Sequence, residues 1–186
     1  AAGAEPDPEA AAVIRGLHDA GLPLGILTRN GRGAVERALE NFDGVDAADF
    51  EVIVSRGEPG APKPAADGVL LAAQRLGVPS EELLVVGDYV FDILAGRAAG
   101  AVTALLFRGD AGSAGYGTAA RPGDAPVLRP MIGSVHADGR LDPQPDFVLD
   151  DLCQLPEVVR LGRALPAGKF PSDLLERFLT SLPPQP

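Results

Sequence analysis

The sequence predicts an α/β fold built on a doubly wound parallel sheet. Three observations carry that expectation. Short apolar strands alternate with segments of helical period along the first hundred residues. The connections are short, and strands that are apolar throughout need cover on both faces. The strand ends at Thr28, Ser55 and Asp88 are polar, as expected where parallel strands run out together onto one rim. At 186 residues and 46% hydrophobic, the chain is long enough for one domain with a full core.

Each element has its own justification. Pro8 to Ala20 reads as a helix, with Val13, Ile14 and Leu17 on one face and Gly21 as its stop. Leu22 to Leu27 is the first strand, and Gly33 to Asn41 is helical, with Val35, Ala38 and Leu39 at helical spacing. Phe50 to Val54 is the second strand and Pro64 to Leu76 the next helix. Leu83 to Val86 is the third strand, followed by a helix from about Phe91 to Ala99. Ala101 to Phe107 is the fourth. Between Arg108 and Pro145 the pattern gives way to Gly, Pro, Ala and Ser, which reads as an insertion or extended loop. A short hairpin around Val127 to Leu141, turning at Asp138-Gly139, fits within it. Asp146 to Leu149 is a fifth strand, and Asp150 or Asp151 caps a helix through Leu155 to Leu161. The amphipathic segment Ser172 to Leu179 is expected to pack back on the domain.

Composition narrows the function. A net charge of −10 and a pI near 4.6 exclude nucleic acid as a partner, because phosphate neutralisation needs a basic face. The single cysteine, Cys153, leaves no internal disulfide framework and points to a reducing compartment, cytoplasm or organelle stroma. Two histidines and one cysteine make a zinc site improbable. No apolar run reaches membrane-spanning length.

Three short motifs carry chemistry. Leu84-Val85-Val86-Gly87-Asp88-Tyr89-Val90-Phe91-Asp92 puts two carboxylates, Asp88 and Asp92, at the carboxyl end of a buried strand. Two ionised carboxylates about 4 Å apart repel by roughly 4 kcal/mol at an effective dielectric of 20. Such a pair shares a proton or binds a hard cation such as Mg²⁺. The plainer alternative is that Asp92 sits in the first turn of the next helix, favoured by its dipole. In Ile26-Leu27-Thr28-Arg29-Asn30-Gly31, a strand-end hydroxyl and the Asn30 amide precede a helix, a natural phosphate-oxygen site. Asn30 as an ordinary N-cap is the alternative there. Pro62-Lys63-Pro64 holds a lysine extended between prolines, presenting an ammonium with restricted freedom. Beside carboxylates and phosphate it would neutralise transition-state charge, whereas alone it is a solvated lysine on a rigid loop.

In that order, the three motifs resemble those of the haloacid dehalogenase-like hydrolases. The likeness covers about Pro8 to Phe107 and the strand at Asp146, and Gly96 to Ala101 resembles the family's turn after its last motif. The resemblance implies that Thr28, with Asn30, binds the transferring phosphoryl group and that Lys63 stabilises nucleophile and phosphoryl oxygens. It implies Mg²⁺ as cofactor, held by Asp88 and Asp92, and the phosphatase branch similar to phosphoglycolate phosphatases, acting on a small phosphorylated metabolite. The family's first motif, a strand ending Asp-x-Asp-x-Thr that carries the nucleophile, is absent. That strand is central in the family's sheet, so its absence is expected to leave a hydrophobic seam. The chain is therefore expected to be the carboxyl-terminal portion of a longer enzyme, inactive by itself. The expected division is 1–107 core, 108–145 insertion, 146–165 closing strand and helix, and 166–186 tail. The alternative is a non-catalytic relative that binds metal or phosphate or serves as an interaction module.

Overall fold

The computed structural model describes residues 8–107, 116–118, 133–135 and 141–163. Within them the order is α1 (Pro8–Asp19), β1 (Gly25–Leu27), α2 (Arg32–Leu39), β2 (Val52–Val54), α3 (Asp67–Leu76), β3 (Leu84–Gly87) and α4 (Val90–Ala98). Then come β4 (Val102–Leu106), β5 (Tyr116–Thr118), β6 (Gly133–Val135), β7 (Leu141–Asp142), β8 (Phe147–Leu149) and α5 (Leu155–Arg163).

Local chemistry sets the boundaries. Gly21 (φ 71°) and Gly77 (φ 69°) end α1 and α3 in the left-handed conformation that a side chain disfavours. Helix α3 starts at Asp67 rather than at Pro64, because Pro62 to Ala65 forms a turn closed by the Ala65 N–H on the Pro62 carbonyl. Helix α2 is capped by Gly31, with no side-chain bond, so Asn30 is not its N-cap. The Asn30 N–H donates instead to Thr28 Oγ1 at 3.1 Å.

The strands β1 to β4 and β8 pair in parallel, and helices cover them on two faces, as a doubly wound fold requires. On one face, Val13 and Leu17 of α1 and Leu155 and Val158 of α5 pack with Ala104, Phe147 and Leu149, and Leu84 and Val86 join them. On the other face, Val90, Ile93 and Ala95 of α4 and Val69 of α3 meet Leu105, Val85 and Leu27. Leu84 and Val86 point one way and Val85 the other, the period of two that a pleated strand imposes. Complete burial of a side chain such as Leu105, at 0% exposure, contributes about 1.5–3 kcal/mol. Asp146 fixes the last strand: its Oδ2 accepts from the Thr103 N–H (2.8 Å) and hydroxyl (2.7 Å).

The sheet is not continuous. Among the described residues β1 pairs only with β2, in register Ile26↔Ile53, while β3, β4 and β8 form a separate parallel sheet. Burial differs from strand to strand, and β4, between β3 and β8, is enclosed along its middle. Val52, Ile53 and Val54 of β2 are buried, yet β1 is exposed to half-buried and β3 is half-buried along its length. A seam thus runs between β1 and β3. Helices bridge it: α1 contributes Val13 and Leu17 to one cluster and Ala11 to the cluster around Val35 and Ile53. On the opposite face Leu27 of β1 shares a cluster with Val85 of β3.

The 108–145 segment is not featureless. β6 pairs antiparallel with β7, in register Val135↔Leu141, and parallel with β5. The strands that pair as a hairpin are Gly133–Val135 and Leu141–Asp142; its expected turn, Asp138-Gly139, and the segment Ser172 to Leu179 lie outside the described residues. Asp151 caps the 3₁₀ turn Leu152–Gln154 that leads into α5.

Candidate functional site

The site forms where the seam reaches the carboxyl ends of the strands. Lys63, on the proline-flanked turn before α3, sends its ammonium across the gap. Nζ donates to the Leu27 carbonyl at 3.1 Å and to Asp92 Oδ1 at 2.5 Å. Both side chains are largely enclosed, 15% and 12% exposed, so solvent screens the pair less than a surface one. The turn from Pro62 to Ala65 carries Lys63 ahead of α3, and from there its side chain reaches the Leu27 carbonyl.

Asp92 is the third residue of α4, and its Oδ2 accepts the Tyr89 N–H at 3.3 Å. It is therefore both a helix-capping carboxylate and the partner of Lys63. Gly87 lets it come close, since a Cβ on that residue would overlap Asp92 Cβ and Cγ. Asp88 differs: it is exposed, just beyond the end of β3, with no side-chain partner among the described residues. The two carboxylates thus occupy unlike environments, one committed and one open.

Thr28 follows β1, its N–H bonded to the Val54 carbonyl at 2.9 Å and its hydroxyl accepting the Asn30 N–H. Thr28, Asn30 and Lys63 line one cavity of about 500 Å³. Asp88 and Asp92 lie outside that lining. Ser55 and Arg56, which follow β2, line it too. Sequence reasoning passed over Arg56; an arginine immediately after a strand and before Gly57 (φ 99°) was the available signal. Its N–H donates to the Asn30 carbonyl (2.8 Å) and its Nε to the Arg29 carbonyl (2.9 Å). The Arg29 guanidinium in turn lies 5.3 Å from the centroid of the Phe91 ring. Glu58, also in the lining, is gripped by Arg75 at 3.0 and 2.7 Å, and those hydrogen bonds hold its carboxyl below the usual range.

The donor set suits a hard divalent cation. Asp88 and Asp92 are the carboxylates that would hold such an ion, Asp88 free to do so and Asp92 already accepting from Lys63 and the Tyr89 N–H. Among the described residues, the one cluster of three close His, Cys, Asp or Glu ligand atoms is elsewhere, at Glu9, Asp151 and Cys153. Two of the aspartates between α2 and β2, Asp46 and Asp49, are structural. Asp46 accepts the Ala48 N–H at 2.6 Å, and Asp49 accepts the Asp46 N–H at 2.7 Å. No helix among the described residues is long and apolar enough to cross a membrane.

Comparison with known proteins gives the family and the fold. The profile of the haloacid dehalogenase-like hydrolases matches residues 1–100. A phosphoglycolate phosphatase of Salmonella paratyphi A is 33% identical over 140 residues, 72% of this chain and 53% of its own length. The chain thus spans about half the length of the curated relatives it matches. A crystal structure of a predicted phosphoglycolate phosphatase from Haemophilus somnus superposes with a TM-score of 0.60 at 20% identity. It covers 82% of this chain and 56% of its own, a likeness of fold alone. A mutant of CbbY from Rhodobacter sphaeroides, in complex with xylulose-(1,5)bisphosphate, gives 0.50 at 27% identity. That match covers 54% of this chain and 45% of the other.

Proposed function

The chain belongs to the haloacid dehalogenase-like hydrolases, and on that premise we propose that it is the carboxyl-terminal portion of a Mg²⁺-dependent phosphatase. The substrate is a small phosphorylated metabolite, and the reaction runs through an aspartyl-phosphate whose nucleophile is supplied by a segment upstream of Ala1. In this reading 1–107 and 146–165 form the core, 108–145 an insertion and 166–186 a tail.

The observation that carries it is the position of Lys63, whose ammonium stands in the seam between the Leu27 carbonyl and Asp92. The edges of β1 and β3 are unpaired among the described residues, and on this reading one more strand lies between them with its terminal carboxylate facing Nζ. The partial exposure of β1 and β3 supports the same reading, because a strand laid in the seam would enclose them. Lys63 then holds the nucleophile ionised and draws charge from the phosphoryl oxygens. Thr28 donates its hydroxyl to one of those oxygens, and the Asn30 side-chain amide reaches the same anion. Asp88 and Asp92 hold Mg²⁺, which supplies electrostatic stabilisation of the charge on the transferring group. The names of the relatives, phosphoglycolate phosphatases and a protein binding a sugar bisphosphate, support a small phosphorylated substrate.

The test is Mg²⁺-dependent hydrolysis of a generic aryl phosphate by the full-length protein beside its Asp88→Asn variant. Turnover that needs Mg²⁺ and collapses in the variant is expected. Activity indifferent to the substitution would remove the metal assignment, and no activity in either protein would favour the binding-module alternative.

A further inference from the structure

The two halves of the site stand on different sheets. Thr28 and Asn30 follow β1, which pairs with β2, and Asp88 and Asp92 follow β3, which pairs with β4. Asn30 and Asp88 lie past the last registered residues of their strands, Leu27 and Gly87. No strand pairing among the described residues therefore sets the distance between the two turns, and side chains must set it. Lys63 ties them at one point, and a single contact lets two loops pivot about it. Arg29 makes a second contact. Its carbonyl accepts from Arg56 Nε at 2.9 Å, and its guanidinium lies 5.3 Å from the centroid of the Phe91 ring. The ring is itself held: Tyr89 meets it edge-on at 5.2 Å, and both pack with Val90, Ile93 and Leu105. Tyr89 in turn donates its N–H to Asp92 Oδ2 at 3.3 Å. A continuous run of contacts thus leads from the loop after β2, through Arg29, to the carboxylate on α4.

We propose that Arg29, through the Phe91 ring, is a positioning residue: it fixes the Thr28–Asn30 turn against the Asp88–Asp92 turn, so that a phosphate on one half meets the cation on the other. This rests on the phosphatase reading and adds what holds its two halves at a set spacing. The attraction between a phosphate and a divalent cation falls with distance, so the spacing decides how strongly each ligand favours the other. Positioning is therefore read as a coupling between the two, which is reciprocal at equilibrium. An arginine that merely rests on a ring at the surface adds a little stability and leaves that coupling alone.

The experiment titrates inorganic phosphate into the full-length protein, with and without saturating Mg²⁺, and follows binding by calorimetry. Wild type is expected to bind phosphate more tightly when Mg²⁺ is present. Arg29→Ala should cut that enhancement about two- to fivefold, the range open to a surface cation–π pair. Phosphate affinity without Mg²⁺ should stay as it is in wild type. Phe91→Leu, which leaves the charge of Arg29 in place, should cut the enhancement alike. The double variant should lose no more than either single one, because both remove the same contact. Arg29→Lys should restore part of the loss. An enhancement unchanged in Arg29→Ala, or losses that add in the double variant, overturns the inference even where turnover is robust. Weaker phosphate binding by Arg29→Ala without Mg²⁺ overturns it too, since Arg29 would then touch the anion itself. Wild type that shows no enhancement at all removes the phosphatase reading and the inference with it.

Discussion

The Lys63 ammonium joins the end of β1 to the first turn of α4, donating at once to the Leu27 carbonyl and the Asp92 carboxylate. It is a polar link across a seam otherwise bridged by apolar contacts. Lys63→Met should cost about 2–4 kcal/mol, because it strands a mostly buried carboxylate. Urea denaturation of this chain measures it. The double variant with Asp92→Asn should recover part of the loss, since the stranded charge goes too; a double variant no better than the single would contradict the pairing.

Asp88 and Asp92 should separate on substitution. Asp88 is exposed, with no side-chain partner among the described residues, so Asp88→Asn should shift stability by no more than about 0.5 kcal/mol while abolishing Mg²⁺-dependent turnover of the full-length protein. Asp92→Asn should lose both, because the carboxylate also caps α4 and binds Lys63. Melting curves alongside phosphate-release assays decide the matter.

Gly87 has no room for a methyl group, since its Cβ would overlap the Asp92 side chain. Gly87→Ala should cost about 1–3 kcal/mol, as overpacking generally does. It should also displace Asp92 from Lys63, so that adding Lys63→Met on top costs less than it does in wild type. Full additivity of the two losses would show that Asp92 had not moved.

Cys153 should be a slow nucleophile. Its thiol donates to Glu9 Oε2 at 3.3 Å, and that bond, with the nearby negative charge, pushes its pKa up to about 11. A raised value keeps the thiol protonated, so at pH 8 only ~0.1% is thiolate, the reactive form. Iodoacetamide labelling should therefore stay slow until the pH approaches 11. Glu9→Gln should accelerate it several-fold at pH 8; unchanged kinetics would mean that Glu9 does not hold the proton.

What was legible in the sequence follows the range of the interactions. Thr28, Lys63 and Asp92 could be picked out because each sits on a short stretch whose own pattern fixes its place: a strand end, a lysine between prolines, a Gly-Asp turn. That Asp92 and Lys63 would meet could be anticipated from motif order. That Asp88 would stand apart from them could not, because the division depends on which carboxylate faces the Lys63 turn. Arg56 was missed because its contacts are two carbonyls on a loop some 27 residues away. The split of the sheet likewise reflects which edges find partners, a non-local outcome. The two- and three-residue strands β5 to β7 are too short to print an alternation.

The edges of β1 and β3, unpaired among the described residues, also make the chain a template. A parallel edge presents a row of N–H and C=O groups to any extended segment that meets it, and nothing in its hydrogen bonding distinguishes the intended strand from an unrelated one. Half-buried Ile26, Val85 and Val86 add apolar surface on both sides of the opening. On the proposal that a further strand belongs in the seam, the chain without that strand carries a route to self-association, and its solubility reads out whether the seam is filled.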